Sequence, residues 1–137
     1  MPSAVQTCCK PALLGAIATL SATHALAGGA AYELIDLGVA AGLNASAGVD
    51  VNALGHVAIG SWNNGDGDTN NTAELWIDLN GDGVVNAGER MNMGSLGGGE
   101  TLVHGMNAIG ASVGSGENGS AQTLAFRWVP GGAIMSL

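Results

Sequence analysis

Apolar residues recur at every second position in short runs, and glycine, asparagine or aspartate breaks each run. Tyr32-Glu-Leu-Ile-Asp-Leu37 is the first, and Gly48-Val-Asp-Val-Asn52 and Gly55-His-Val-Ala-Ile-Gly-Ser61 follow, joined by Ala53-Leu54. Thr72-Ala-Glu-Leu-Trp-Ile77 and Arg90-Met-Asn-Met93 come next. A period of two places alternate side chains on opposite faces of an extended chain, so these runs predict strands. Residues 48–52 and 55–61 predict a hairpin with Trp62 at its far end. The small residues 39–47 and the polar stretch Asn63 to Asn71 predict loops. No stretch beyond residue 27 sustains a 3.6-residue apolar period, so long helices are not expected.

After Gly94 the pattern starts again. Asn52-Ala-Leu-Gly55 returns as Asn107-Ala-Ile-Gly110, 55 residues later. Ile59-Gly-Ser61 returns as Val113-Gly-Ser115 at 54, and Ala73-Glu-Leu-Trp-Ile77 as Ala125-Phe-Arg-Trp-Val129 at 52. Falling offsets in a conserved order mean that loops differ in length while strands do not. The expected fold is therefore all-β: two tandem antiparallel units of three or four strands, arranged as propeller blades or as an open sandwich. Unit one runs over about 32–93 and unit two over about 94–137. Such a chain needs many tight turns, which fits its 24 glycines among 137 residues, against an average usage of about 7%. A hydrophobic content of 47% argues against low-complexity disorder, which lacks apolar surface to bury.

The N-terminus has a different character. Lys10 precedes the apolar run Pro11 to Ser21, and Ala25-Leu26-Ala27 offers a cleavage point before Gly28. This is the pattern of an export signal over residues 1–27, too short to span a bilayer. Cys8 and Cys9 precede the apolar run, whereas a lipid-attachment cysteine would follow it. Cleavage would remove both cysteines and Lys10, leaving no disulfide and a formal charge of −9 from eleven acids against Arg90 and Arg127. That balance disfavours nucleic acid and anionic membranes and favours cations.

One segment carries spacing that dictates a chemistry. In Asp78-Leu-Asn-Gly-Asp-Gly-Val-Val-Asn-Ala-Gly-Glu89, oxygen-bearing side chains stand at positions one, three, five, nine and twelve: Asp78, Asn80, Asp82, Asn86 and Glu89. Gly83 falls at position six, where the backbone must turn sharply, and Val84 at position seven contributes its carbonyl. A hard cation such as Ca2+ takes six to eight oxygens, which a short loop supplies only if alternate residues point inward. Asx-Gly runs are also ordinary turn composition, but here all five side-chain positions and the glycine agree. By the repeat, residues 78–89 replace the Pro130-Gly-Gly132 turn of the second unit, so the loop should cap a hairpin, and no sensor-type helix pair should flank it. Asp66, Asp68 and Asn70 have a one-three-five spacing without the glycine, a weaker candidate for a second ion.

Other chemistry is thinly represented. His56 and His104 lack the companions of a zinc site, and no Gly-x-Ser-x-Gly elbow occurs. Trp62, Trp76 and Trp128 could stack on sugars, but the equivalent placement of Trp76 and Trp128 in the repeat points to core packing.

The Asn-x-x-Gly-x-Val-x-Ile-Gly segment (Asn52 to Gly60), the Ala-x-x-Trp strands (Ala73 to Trp76, Ala125 to Trp128) and the Asp36-Leu-Gly38 and Leu96-Gly-Gly98 segments resemble the HAF-repeat family of bacterial extracellular proteins. That resemblance covers most of residues 32–137 and implies export and a propeller-like or stacked β architecture. It brings no catalytic residues, and the chain departs from it in its metal insertion and in having about two units, where a closed propeller has four or more. The loop alone resembles the calcium segment of dockerins, which carry two such segments, each followed by a helix. The expected function is a secreted, calcium-binding, non-catalytic module that engages extracellular protein or polysaccharide. The alternative is a piece of a larger propeller enzyme or lectin acting on polysaccharide.

Overall fold

The computed structural model describes residues 33–65 and 70–137; the expected export signal, Tyr32, Asp66 and Asp68 lie outside them. The described residues form eight strands: β1 Ala45–Val51, β2 Val57–Trp62, β3 Thr72–Trp76, β4 Arg90–Asn92, β5 Gly97–Met106, β6 Ser112–Asn118, β7 Thr123–Trp128 and β8 Met135–Ser136. There is no helix among the described residues. Strands β1 to β4 form one antiparallel sheet in sequential order and β5 to β8 form a second. Each is a four-stranded meander, the unit from which propellers are built, and the all-β, two-unit expectation holds.

The register sharpens the repeat. Val57 pairs with Trp76 and Ser112 with Trp128, so β2 and β6 correspond at 55 residues throughout, not at the 54 read from Ile59-Gly-Ser61. The whole change from 55 to 52 falls in one connection: Asn63 to Asn71 in the first unit against the shorter Asn118 to Thr123 in the second.

Two further expectations are corrected. Residues 33–44 hold no strand. Asp36 Oδ1 accepts the Gly38 N–H (2.9 Å), which bends the chain, and the segment then crosses the face of the first sheet. There Leu37 O accepts from Arg90 Nη1 (2.9 Å), Gly38 O from Ser46 Oγ (2.8 Å), and Ser61 Oγ from Ala40 N (3.3 Å). These side-chain bonds take the place of strand pairing for Leu37, Gly38 and Ala40. The first strand instead begins at Ala45, inside the stretch expected to be loop. The longest strand, β5, starts in Gly97-Gly-Gly99, where alternation is invisible. A Cβ on Gly98 would lie 2.6 Å from Glu117 O and one on Gly99 2.7 Å from Asn70 Oδ1, so the glycines permit close approach and the register slips between Gly97 and Thr101.

The sheets bury one core between them. Ala58, Ala73 and Leu75 share a face of the first sheet, with Met93 just beyond β4; Val103, Phe126 and Trp128 meet them from the second. Polar ties register the two units: Asn52 Nδ2 donates to Asn107 O (3.1 Å) and Ala108 O (3.2 Å), and Met106 N donates to Asp50 Oδ2 (2.8 Å). Trp76 and Trp128 are both buried, as their equivalent positions predict.

Candidate metal-binding loop

The loop of residues 78–89 caps the β3–β4 hairpin, where the repeat places it. Beyond the Trp76–Arg90 pair, Ile77 N donates to Glu89 O (2.9 Å). The next residues then leave the sheet.

Two acids brace this neck. Asp78 accepts the Gly81 N–H through Oδ1 (2.6 Å) and the Gly83 N–H through Oδ2 (2.9 Å). Both glycines have positive φ, 74° and 69°, the region a Cβ disfavours. Across the neck, Glu89 is only 2% exposed, and its carboxylate accepts from Leu79 N (3.1 Å) and Asn86 N (2.8 Å). A buried carboxylate needs such donors.

Between them, four of the expected ligands draw together. Asn86 Nδ2 lies 3.2 Å and 3.0 Å from the Asp82 carboxylate oxygens and 3.1 Å from Val84 O. Asn80 Nδ2 reaches Asp82 Oδ2 (2.9 Å), and its Oδ1 accepts the Asp82 N–H (3.0 Å). The Val84 N–H donates to Asp82 Oδ1 (2.8 Å). That bond, aided by the Asn86 and Asn80 amides and opposed by desolvation, holds the Asp82 carboxyl below the usual aspartate range. The amide nitrogen of Asn86 is thus the positive pole among Asp82 and Val84 oxygens. Turning that carboxamide over would present Oδ1 instead, giving a set of hard oxygen donors suited to a cation.

Asp78 and Glu89 are not part of that convergence, because their oxygens serve backbone amides. Among the described residues, no three His, Cys, Asp or Glu side chains gather closely enough to hold a metal ion. The oxygens of Asp82, Val84 and Asn80 are hard donors of the kind a divalent cation takes, while the carboxylates at positions one and twelve are engaged with backbone N–H groups at the neck. Val85 is half-buried and Val84 is exposed. Of the second candidate loop only Asn70 is described. The adjoining Asn71 is tied to the second sheet through Thr101 N (2.9 Å) and Glu100 Oε1 (2.9 Å).

Among the described residues, no cluster of metal-ligating side chains forms around His56 or His104. His56 Nδ1 contacts Asn52 Nδ2 (3.2 Å) and His104 Nε2 contacts Ser115 Oγ (2.9 Å). Nothing in the residue pattern pointed to the ion pair beside the loop. Arg90 pairs with Glu74 across the β3–β4 hairpin while reaching Leu37 O, which the strap brings to it. Comparison with protein-family models, characterised proteins and solved structures returned no match.

Proposed function

We propose that this chain is an exported, non-catalytic β-repeat protein of the HAF-repeat type, whose hairpin loop takes up calcium and which serves as an extracellular interaction module. The observation that carries the calcium reading is the meeting of Asn80, Asp82, Asn86 and the Val84 carbonyl at the tip of a hairpin. Asp78 and Glu89 stand at the neck, each accepting two backbone N–H groups. In this reading, ion binding exchanges the Asn86 amide nitrogen for oxygen and turns the Glu89 carboxylate inward. No large motion follows, because strands flank the loop. Calcium pins the hairpin and does not open a groove. The export reading rests on the sequence of residues 1–27, and no helix among the described residues is long and apolar enough to cross a membrane.

Calorimetric titration with calcium tests this, together with melting curves in millimolar calcium and in chelator. Extracellular modules bind calcium at about 10⁻⁴ to 10⁻³ M. With free ion at about ten times the dissociation constant, the folded state gains roughly 1.4 kcal/mol. That corresponds to a rise of about 6–11 °C for a domain near this size. Asp82→Ala should abolish both the heat and the rise. Superimposable curves with and without calcium would refute the reading.

A further inference from the structure

The repeat makes each residue of one sheet a guide to its counterpart in the other. Residues Ala58, Ala73, Leu75 and Met91 share one face of the first sheet, and the second sheet covers that face. By register their counterparts are Val113, Ala125, Arg127 and Met135. Met93 N donates to Ala73 O (2.9 Å) as Leu137 N does to Ala125 O (2.9 Å), so Met93 corresponds to Leu137. The first set is buried or packed against the core, with Met93 1% exposed. The second set lies open: Val113 is 48%, Met135 53% and Leu137 78% exposed. At the rim, Asn52 Nδ2 donates to Asn107 O and Ala108 O, tying one unit's turn to the next. Its counterpart Asn107 forms the same turn, accepting from Ile109 N (3.1 Å) and Ala111 N (3.0 Å), and its amide nitrogen has no such bond among the described residues.

We propose that this open face of the second sheet receives a second copy of the chain, which docks through its first sheet as the second sheet docks on the first within one chain. The docking surface of the incoming copy has the needed character. The strap over the outer face of the first sheet exposes Leu34 and Val39, and Val51 is exposed beside it on β1. The strap is itself a repeated device: Ser95 Oγ accepts the Gly97 N–H (3.2 Å) as Asp36 Oδ1 accepts that of Gly38. In the second unit Leu96 on this strap packs against the shared core. Arg127, standing where Leu75 does, can lay its aliphatic stem on the same ground and extend its charge toward the acidic partner. The contact is head-to-tail, so it builds a ring when the rotation closes. Two to four copies would supply roughly the four to eight blades of a closed propeller. It does not depend on the calcium loop.

The test is sedimentation of the full chain at micromolar concentration in chelator, so that its outcome is separate from that of calcium binding. The expected result is a discrete small multiple of 13.4 kDa; a monomer at every concentration overturns the proposal. Met135→Glu and Leu34→Glu, both at exposed sites, should each give a folded monomer. Mixing the two variants should restore one intact contact and yield a dimer that grows no further. An oligomer that survives either substitution, or a mixture that stays monomeric, refutes the head-to-tail pairing. Asn107→Asp keeps the turn acceptor and removes the donor, and should weaken self-association about tenfold, the scale of one or two hydrogen bonds. Unchanged association there would remove the rim contact from the proposal.

Discussion

Gly55 and Gly110 occupy the same place in the same turn, yet replacing them with alanine should have unequal costs. Asn52 and Asn107 each accept through Oδ1 from the residues two and four positions on, while the glycine N–H donates to the Asn carbonyl at 3.0 Å in both turns. Their φ angles, 81° and 82°, are the same within a degree. The left-handed backbone costs a residue with a Cβ about 1–2 kcal/mol, and the smaller entropy of the unfolded alanine chain returns about 0.4–1 kcal/mol. Gly55→Ala should therefore lose about 0.5–1 kcal/mol, since its Cβ would meet nothing within 4 Å. At Gly110 the new Cβ would lie 3.1 Å from Leu75 Cδ2, 3.3 Å from Pro130 Cγ and 3.4 Å from His56 Nδ1. Leu75 is fully buried and cannot swing away, so overpacking adds about 1–3 kcal/mol. Urea unfolding followed by tryptophan fluorescence gives both values. A third turn supplies the control with opposite sign. Asn118 repeats the hydrogen-bond pattern, but Ala121 stands at the glycine position with φ 57°, so Ala121→Gly should stabilise by about 0.5–1 kcal/mol by the same two terms. Equal losses at Gly55 and Gly110 would refute the steric argument, and a loss at Ala121→Gly would refute the backbone argument.

Two other outcomes follow from polar groups in the first unit. Breaking the Glu74–Arg90 pair with Arg90→Met should destabilise by about 3–5 kcal/mol in chemical unfolding, because a buried carboxylate loses its partner. Replacing both, as Glu74→Leu/Arg90→Met, should recover most of that loss, since Phe126 fills the Glu74 position in the sister sheet; failure to recover would show that the tie to Leu37 matters more than the charge. In chelator, the Asp82 carboxyl followed by NMR should titrate below the ordinary 3.8. Because its folded value is depressed, its contribution is complete above that pH and fades only as pH falls through the folded value. Asn86→Ala should move the titration upward, and no movement would mean that the Asn86 amide does not hold the carboxylate.

The loop and its place were legible because both are local. Alternating oxygens with glycine at position six are written in twelve consecutive residues, and the repeat identified the hairpin that they cap. What the loop lacks in this structure, convergence of Asp78 and Glu89, depends on competition from backbone N–H groups at the neck, which spacing does not reveal. The strap over residues 33–44 and the strand from Gly97 were hidden for related reasons. An alternating segment forms a strand only if another strand lies beside it, and a glycine run carries no alternation even where glycine is what lets two strands approach.

The sequence by itself determined that the chain is two copies of one β unit, where most of the strands that carry the repeat run, and which loop carries a row of oxygens. Those properties repeat along the chain and need only the period of a strand and the conformations open to glycine. Tertiary structure decided which sheet face is covered, which carboxylates turn inward and that Glu74 meets Arg90. The covered face depends on residues far apart in sequence competing for the same space, and the other two on which of several nearby hydrogen-bonding groups each side chain meets once the chain has folded. Leu137 stays open to solvent at the position where Met93 is buried.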